Sequence, residues 1–145
     1  MTFSRNVTVD WKGTVLEGSG EAKAGSGAFT LPVSFPRRIG DAQGVTSPEE
    51  LIAAAHATCY AMALNATVGR KGGAIGTTHV TCTVTAELGD KGIKIASSKL
   101  EVVAEKLTGV AAKDFAAVAK EAEAGCPVSN ALRNSLTIEV VASVK

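Results

Sequence analysis

The sequence has 145 residues, 46% of them hydrophobic and 20% charged, a composition that suits a single globular domain over residues 1–145. The formal net charge of +1 and the lack of a long basic run argue against nucleic acid or a membrane surface as the main partner. Three widely spaced cysteines do not suggest a disulfide framework, and we see neither a signal-peptide pattern nor a convincing membrane span. We therefore expect a cytoplasmic protein.

The N-terminal segment predicts an antiparallel meander. Apolar and polar side chains alternate from Phe3 to Trp11, which indicates a first strand. Glycine-rich turns separate the short strands that we expect next, at Thr14–Glu17, Glu21–Ala24 and Phe29–Phe35.

A polar loop at residues 36–45 leads into the longest apolar stretch, Ser47–Asn65, which predicts a long helix. We expect this helix to fray around Val68 and Gly69 and to be broken by Gly72 and Gly73. Ser47 suits the N-cap and Pro48 the first helical position, and the two glutamates that follow favour the positive end of the helix dipole. Because the stretch is apolar on nearly every face, we expect it to be buried on nearly every face.

The second half of the chain predicts strands and two more helices. Strict alternation makes His79–Leu88 the clearest strand, and Ile93–Leu107 is one bent strand or two short ones. Helices are expected at Val110–Ala124 and Pro127–Arg133, before a last strand that begins at Leu136. The order of these elements indicates an α+β fold.

The three cysteines differ in their surroundings. Cys82 lies on the apolar side of a predicted strand and is interpreted as a packed core residue. Cys126 precedes the first proline of a short helix, where free N–H groups would stabilise a thiolate. Cys59 follows His56 by three residues, which is typical either of core packing or of a thiol with a nearby base.

A metal site made of Cys59, His56, His79 and Cys126 is disfavoured, because these residues lack the short ligand spacing of structural zinc sites.

A buried reactive thiolate needs a positive partner, and the cations nearest to the central helix in sequence are Arg37 and Arg38. Glu49 or Glu50 could orient such an arginine through a bidentate pair. The alternative is that all four are ordinary solvated charges.

Three segments together resemble the OsmC/Ohr family of hydroperoxide reductases, over essentially the whole chain. Thr46–Leu64 and Ala124–Ser129 are similar to the two cysteine motifs of that family, and Phe35–Gly40 is similar to the arginine loop of its OsmC branch. The resemblance implies antiparallel sheets packed around a long buried central helix, in an intertwined homodimer with two active sites at the interface.

The resemblance also implies a cysteine-based peroxidase that needs no metal or other cofactor. Cys59 would be the peroxidatic and Cys126 the resolving cysteine, with Arg38 and Glu49 as catalytic partners. Arg37 and Glu50 are the second choices for these two roles. The substrate would be an organic hydroperoxide and the reductant an external dithiol, such as a lipoylated protein.

The spacing of Glu49 and Cys59 places a limit on this site. Ten residues of straight helix separate them by about 15 Å along the axis and by roughly 80° in direction. Unless the helix bends or Arg38 bridges the gap, the glutamate must come from a partner chain. Two other functions stay open at this point: a cysteine hydrolase or acyltransferase that uses Cys59 with His56, and a non-catalytic redox-sensing module.

Overall fold

The alternating N-terminal segment forms a three-stranded antiparallel sheet in the computed structural model, which describes all residues 1–145. Its strands are β1 (Val7–Lys12), β2 (Ser19–Ala24) and β3 (Thr30–Val33), in the order β1-β2-β3. The prediction of a strand at Thr14–Glu17 is wrong, because this segment forms a turn. The Gly18 N–H donates to the Thr14 carbonyl at 2.8 Å and closes the turn. Gly18 has no room for a side chain, since a Cβ there would lie 2.4 Å from the carbonyl oxygens of Lys12 and Thr14.

A short helix, α1 (Phe35–Ile39), occupies part of the segment that was expected to be a loop. Pro36 stands in its first turn, where a missing N–H costs nothing. The helix ends at Gly40, whose N–H donates to the Pro36 carbonyl at 3.1 Å. It therefore carries Arg37 and Arg38 in its last turn, at the negative end of the backbone dipoles.

The long apolar stretch forms helix α2 (Pro48–Arg70), which ends close to the predicted fraying at Val68 and Gly69 and before the two glycines that were expected to break it. Its start is as predicted, with the Glu50 N–H donating to the Ser47 hydroxyl at 3.2 Å. Its end is fixed by Gly72, with a φ of 77°, and by the Gly73 N–H, which donates to the Val68 carbonyl at 3.0 Å.

The prediction that this helix is buried on nearly every face is wrong for the chain described here. Only one side of the helix is buried. Its buried residues follow one another at helical spacing, and they are His56, Tyr60, Leu64, Thr67 and Val68. The opposite side is rich in alanine, and Met62 on it is 69% exposed. By length and composition α2 could also cross a membrane, a test that core helices of soluble proteins pass as well.

The second sheet contains β4 (Thr77–Gly89), β5 (Gly92–Glu105) and β6 (Thr137–Val144), in the order β4-β5-β6. β4 and β5 form an antiparallel pair, but β5 and β6 are parallel, so the expectation of purely antiparallel sheets is wrong. A parallel connection needs a long crossover, and helices α3 (Phe115–Ala124) and α4 (Pro127–Leu132) provide it. α3 begins later than predicted, after a 3-10 turn at Ala112–Asp114.

The chain divides into two compact units, residues 1–51 and residues 52–145. The second unit has a continuous core, in which Tyr60, Leu100 and Phe115 are at most 1% exposed. The Tyr60 hydroxyl donates to the Ala119 carbonyl at 3.1 Å, so α2 and α3 are joined by a polar contact as well as by packing. Cys126, at the start of α4, belongs to the same core.

Candidate functional site

Two of the three cysteines meet in the second unit. Cys59 lies on α2 and is partly buried, whereas Cys126 is the fully buried N-cap of α4. Both are free thiols, and Cys59 packs against the core cluster that contains Cys126, close enough for Cys126 to raise its pKa. The fold therefore brings together two reactive groups that are far apart in sequence.

Burial raises the pKa of the Cys59 thiol, and the neighbouring Cys126 raises this pKa further. The backbone N–H of Val128, in the first turn of α4, donates toward the Cys59 sulfur and lowers the same pKa. The positive end of α4 thus acts on Cys59, although the sequence suggested that it would act on Cys126. No lysine or arginine is among the groups that shift this pKa.

Arg38 and Glu49 form a bidentate ion pair in the first unit. The Arg38 Nη2 lies 2.6 Å from Glu49 Oε1, and Nε lies 3.1 Å from both carboxylate oxygens. The side chains are 26% and 13% exposed, so the pair is shielded from much of the solvent. The hydrogen bond from Arg38 lowers the pKa of Glu49, and the same bond raises the pKa of Arg38.

The second choices from the sequence have other partners. Arg37 donates from Nη1 to the Asp41 carbonyl at 3.2 Å, and Glu50 accepts a hydrogen bond from the Thr46 hydroxyl. Of the two arginines and two glutamates, the structure therefore pairs Arg38 with Glu49. The catalytic roles of these residues stay predictions.

His56 does not face the Cys59 sulfur as a base would. The imidazole is fully buried, with Nδ1 2.7 Å from the Ser98 hydroxyl and Nε2 2.8 Å from the Ser129 hydroxyl. Burial lowers the pKa of His56, which favours the neutral ring. Both ring nitrogens thus already have hydrogen-bond partners, and no local signal in the sequence indicates either serine.

Cys82 lies beside this histidine. Its sulfur is 3.2 Å from the Ser98 hydroxyl and 3.9 Å from His56 Nδ1, and burial raises its pKa. It is partly buried against the core, in agreement with its prediction as a packed residue. The residues once considered for a metal site, with His79 beside Glu105, form no group of three that could bind an ion.

Each unit contains an apolar hollow beside one of these groups. In residues 52–145, a groove of about 340 Å³ exposes Cys59 between Met62, Ala63 and Ala66 of α2 and the start of α4, with Arg70 near the end of α2. In residues 1–51, a cavity of about 500 Å³ has Arg38 in its wall and is otherwise mostly apolar. Its other lining residues include Val9, Trp11, Val15, Phe35 and Leu51.

Comparison with known proteins agrees with this geometry. The family model described as OsmC-like protein matches residues 40–141. The chain is 33% identical over 141 residues to "Peroxiredoxin OsmC" of Escherichia coli (strain K12), which covers 96% of both chains.

Solved structures support the same fold. The organic hydroperoxide resistance protein OhrB of Bacillus subtilis has a TM-score of 0.76 at 22% identity, covering 99% of this chain and 98% of its own. An organic hydroperoxide resistance protein OsmC from Legionella pneumophila has a TM-score of 0.71 at 24% identity, covering 95% and 96%. The resemblance found in the sequence is therefore confirmed, and the chain belongs to the OsmC-like protein family.

Proposed function

We propose that this protein is a thiol-dependent peroxidase that reduces organic hydroperoxides, and hydrogen peroxide more weakly, to alcohols or water. The observation that carries the proposal is the contact of the partly buried Cys59 with the buried thiol of Cys126. Membership of the OsmC-like family supports it, because the Escherichia coli relative is called a peroxiredoxin. An antioxidant role in oxidative stress follows from the same chemistry.

In the first step, the Cys59 thiolate attacks the distal oxygen of the hydroperoxide ROOH. The O–O bond breaks, the alcohol ROH leaves after taking up one proton, and Cys59 becomes a sulfenic acid. The groove beside Cys59 is lined largely by methyl and thioether groups, which suit an alkyl substituent better than a second hydroxyl.

In the second step, the Cys126 thiol attacks the sulfur of the sulfenic acid. A Cys59–Cys126 disulfide forms and water leaves. Two electrons from an external dithiol, such as a lipoylated protein, then reduce this disulfide by thiol–disulfide exchange. Every step uses thiol chemistry of this chain or of the reductant, so the proposal needs no further cofactor.

Arg38 supplies the positive charge that Cys59 lacks. A guanidinium beside the thiolate would lower its pKa and stabilise the negative charge that develops on the leaving oxygen. Glu49 fixes the orientation of that guanidinium through the bidentate pair. In the proposed homodimer, the partner subunit delivers this arginine to Cys59.

Exposed apolar surface supports the homodimer. All six residues of β1 are exposed, including Val9 at 55% and Trp11 at 41%, and the alanine-rich side of α2 is open. Surfaces of this kind are typical of protein interfaces. The Glu49–Cys59 spacing on α2 gives a second, independent reason to place the arginine clamp of one chain at the thiol of another.

The remaining parts of the proposal concern the whole protein. We expect one OsmC-like domain over residues 1–145, since the family model spans residues 40–141. The near-neutral charge supports a cytoplasmic protein that acts on small molecules and needs neither nucleic acid nor a membrane.

The test is peroxide consumption with excess dithiol by the wild type, Cys59→Ser and Cys126→Ser. We expect turnover with cumene hydroperoxide by the wild type, none by Cys59→Ser, and a single round of oxidation by Cys126→Ser. A wild type that leaves cumene hydroperoxide untouched would overturn the peroxidase. Disulfide formation without dithiol-driven turnover would favour a redox sensor. Peroxide turnover retained in Cys126→Ser would show that the dithiol reduces the Cys59 sulfenic acid directly, and it would overturn the resolving role of Cys126.

A further inference from the structure

A buried pair of hydrogen bonds lies next to the two thiols. His56 and Cys59 are three residues apart on α2, and Ser129 and Cys126 are three residues apart at the start of α4. His56 contacts Ser129 at 2.8 Å, and Cys59 contacts Cys126. The same two helices are thus joined by two neighbouring contacts, one polar and one between the thiols.

The polar contact is well suited to fix a short helix. α4 has six residues, and the side chain of its N-cap, Cys126, makes no capping hydrogen bond to the backbone of the helix. A helix of this length is not stable by itself and depends on tertiary contacts for its position. The Ser129 hydroxyl and the imidazole are both 0% exposed, so water does not compete for their hydrogen bond.

His56 is itself held in place from the other side. Its Nδ1 contacts the hydroxyl of Ser98, which lies on β5, the middle strand of the second sheet. A neutral imidazole has one N–H donor and one acceptor nitrogen, so one serine accepts a hydrogen bond from the ring and the other donates one. The ring therefore connects the sheet to α4 through two directional bonds.

We propose that His56 is a positioning residue for the resolving step: through Ser129 it holds the start of α4 so that Cys126 reaches the oxidised Cys59. The inference rests on the peroxidase function proposed above. Formation of an S–S bond of about 2.0 Å requires close approach and a defined direction of attack.

A second reaction competes with resolution and makes the effect measurable. The sulfenic acid on Cys59 either reacts with the Cys126 thiol to give a disulfide and water, or reacts with another hydroperoxide. The second route gives a sulfinic acid on Cys59 and releases one alcohol, and it is not reversed by a dithiol. Slower resolution therefore appears as more sulfinic acid per turnover.

The test compares Ser129→Ala with the matched variant Ser98→Ala. Each removes one buried hydroxyl from the same imidazole, but only Ser129 lies on the helix that carries Cys126. In Ser129→Ala we expect sulfenic acid formation within about twofold of wild type and disulfide formation about tenfold slower. In Ser98→Ala we expect disulfide formation within about threefold of wild type.

Rapid-quench mass spectrometry separates the two steps and counts sulfinic acid. Ser129→Thr, which restores the hydroxyl, should recover disulfide formation. If Ser129→Ala merely lost its fold, both steps would be lost equally. Unchanged disulfide formation in folded Ser129→Ala overturns the inference.

A second measurement does not depend on peroxide. The equilibrium between the Cys59–Cys126 disulfide and glutathione reports how well the fold places the two thiols, even in a protein without peroxidase activity. We expect the effective concentration of the pair to fall about tenfold in Ser129→Ala. No change there would overturn the positioning role, while a wild type inactive toward hydroperoxides would overturn the proposed function instead.

Discussion

The two units of the chain differ in how far they bury their apolar side chains, residues 52–145 more completely than residues 1–51. The longer unit packs Tyr60, Leu64, Phe115 and their neighbours into a core with almost no exposed surface. The shorter unit buries few side chains and keeps an apolar cavity of about 500 Å³. A sheet with an open apolar side is stabilised by a second surface, and for residues 1–51 we propose a second copy of the chain.

The same contrast holds for the reactive groups. The longer unit contains two thiols in contact, and burial works against ionisation of Cys59. The shorter unit contains a strongly paired guanidinium and no cysteine. The interface site proposed above would bring the guanidinium of one subunit to the thiols of the other.

The largest effect is expected when the Arg38 guanidinium, the reactive group of the shorter unit, is removed. Arg38→Met should lower kcat/KM for cumene hydroperoxide by about 100- to 1,000-fold, because in the proposed mechanism it removes the charge that stabilises both the thiolate and the leaving oxygen. It should also raise the pKa of Cys59, measured by the pH dependence of alkylation. Arg37→Met is the matched control, since the Arg37 guanidinium donates to a backbone carbonyl, and it should stay within about threefold of wild type. Equal losses in both variants would contradict the assignment.

The two sides of α2 provide a second test. Leu64→Ala should lower the free energy of unfolding by about 3 kcal/mol, because Leu64 is 0% exposed and its removal leaves a cavity. Met62 lies on the opposite side and is 69% exposed, so Met62→Ala should change the free energy of unfolding of the single chain by no more than about 0.5 kcal/mol. Urea unfolding at several protein concentrations separates the two effects. A large, concentration-independent loss in Met62→Ala would show that this side belongs to the core of one chain.

A charge placed on the exposed face of the first sheet tests whether this face is the dimer interface. Val9→Asp should raise the dissociation constant of the homodimer by at least about tenfold, since an unpaired carboxylate would be buried in the interface. Thr8→Asp places the same charge on the other side of β1 and serves as the control. Sedimentation velocity measures both. If the two variants associate equally well, this face of β1 is not the interface.

The smallest expected effect concerns the buried imidazole. Because burial lowers the pKa of His56 in the folded chain below its value of 6.5, the unfolded chain takes up a proton first as the pH falls. Stability is therefore highest above about pH 6.5 and should decrease by about 1 kcal/mol as the pH falls to about 5. In His56→Gln this part of the pH dependence should disappear from urea unfolding curves. An unchanged slope would mean that the ring is already charged in the folded chain.

Local signals in the sequence predicted local features well. The Ser47-Pro48 start of α2 and the alternation of β4 each depend on neighbouring residues, and both are present in the structure. The N-cap position of Cys126 was also expected, because glycine and proline flank it. Arg38 and Glu49 were the first choices from the family motif, with Arg37 and Glu50 left open as the second choices, and the structure pairs Arg38 with Glu49.

Features set by distant parts of the chain were not predicted. The parallel pairing of β5 with β6 depends on the path of the crossover, which no short pattern encodes. The one-sided burial of α2 depends on how much chain is available to cover an alanine-rich helix. The serines that bond His56 lie 42 and 73 residues away from it, so only the fold reveals them.

The geometry of the arginine clamp has a consequence for direction of approach. Glu49 occupies the Nε–Nη2 edge of the Arg38 guanidinium, and a guanidinium has five N–H donors in one plane. The donors left free are both N–H groups of Nη1 and the outer N–H of Nη2, and one donor from each nitrogen forms the remaining two-donor edge. An oxygen atom that binds this free edge therefore lies in the plane of the guanidinium, on the Nη1–Nη2 edge that Glu49 leaves open. Arg38→Lys would retain the charge, but a single ammonium cannot bind Glu49 on one edge and present a second edge to the peroxide.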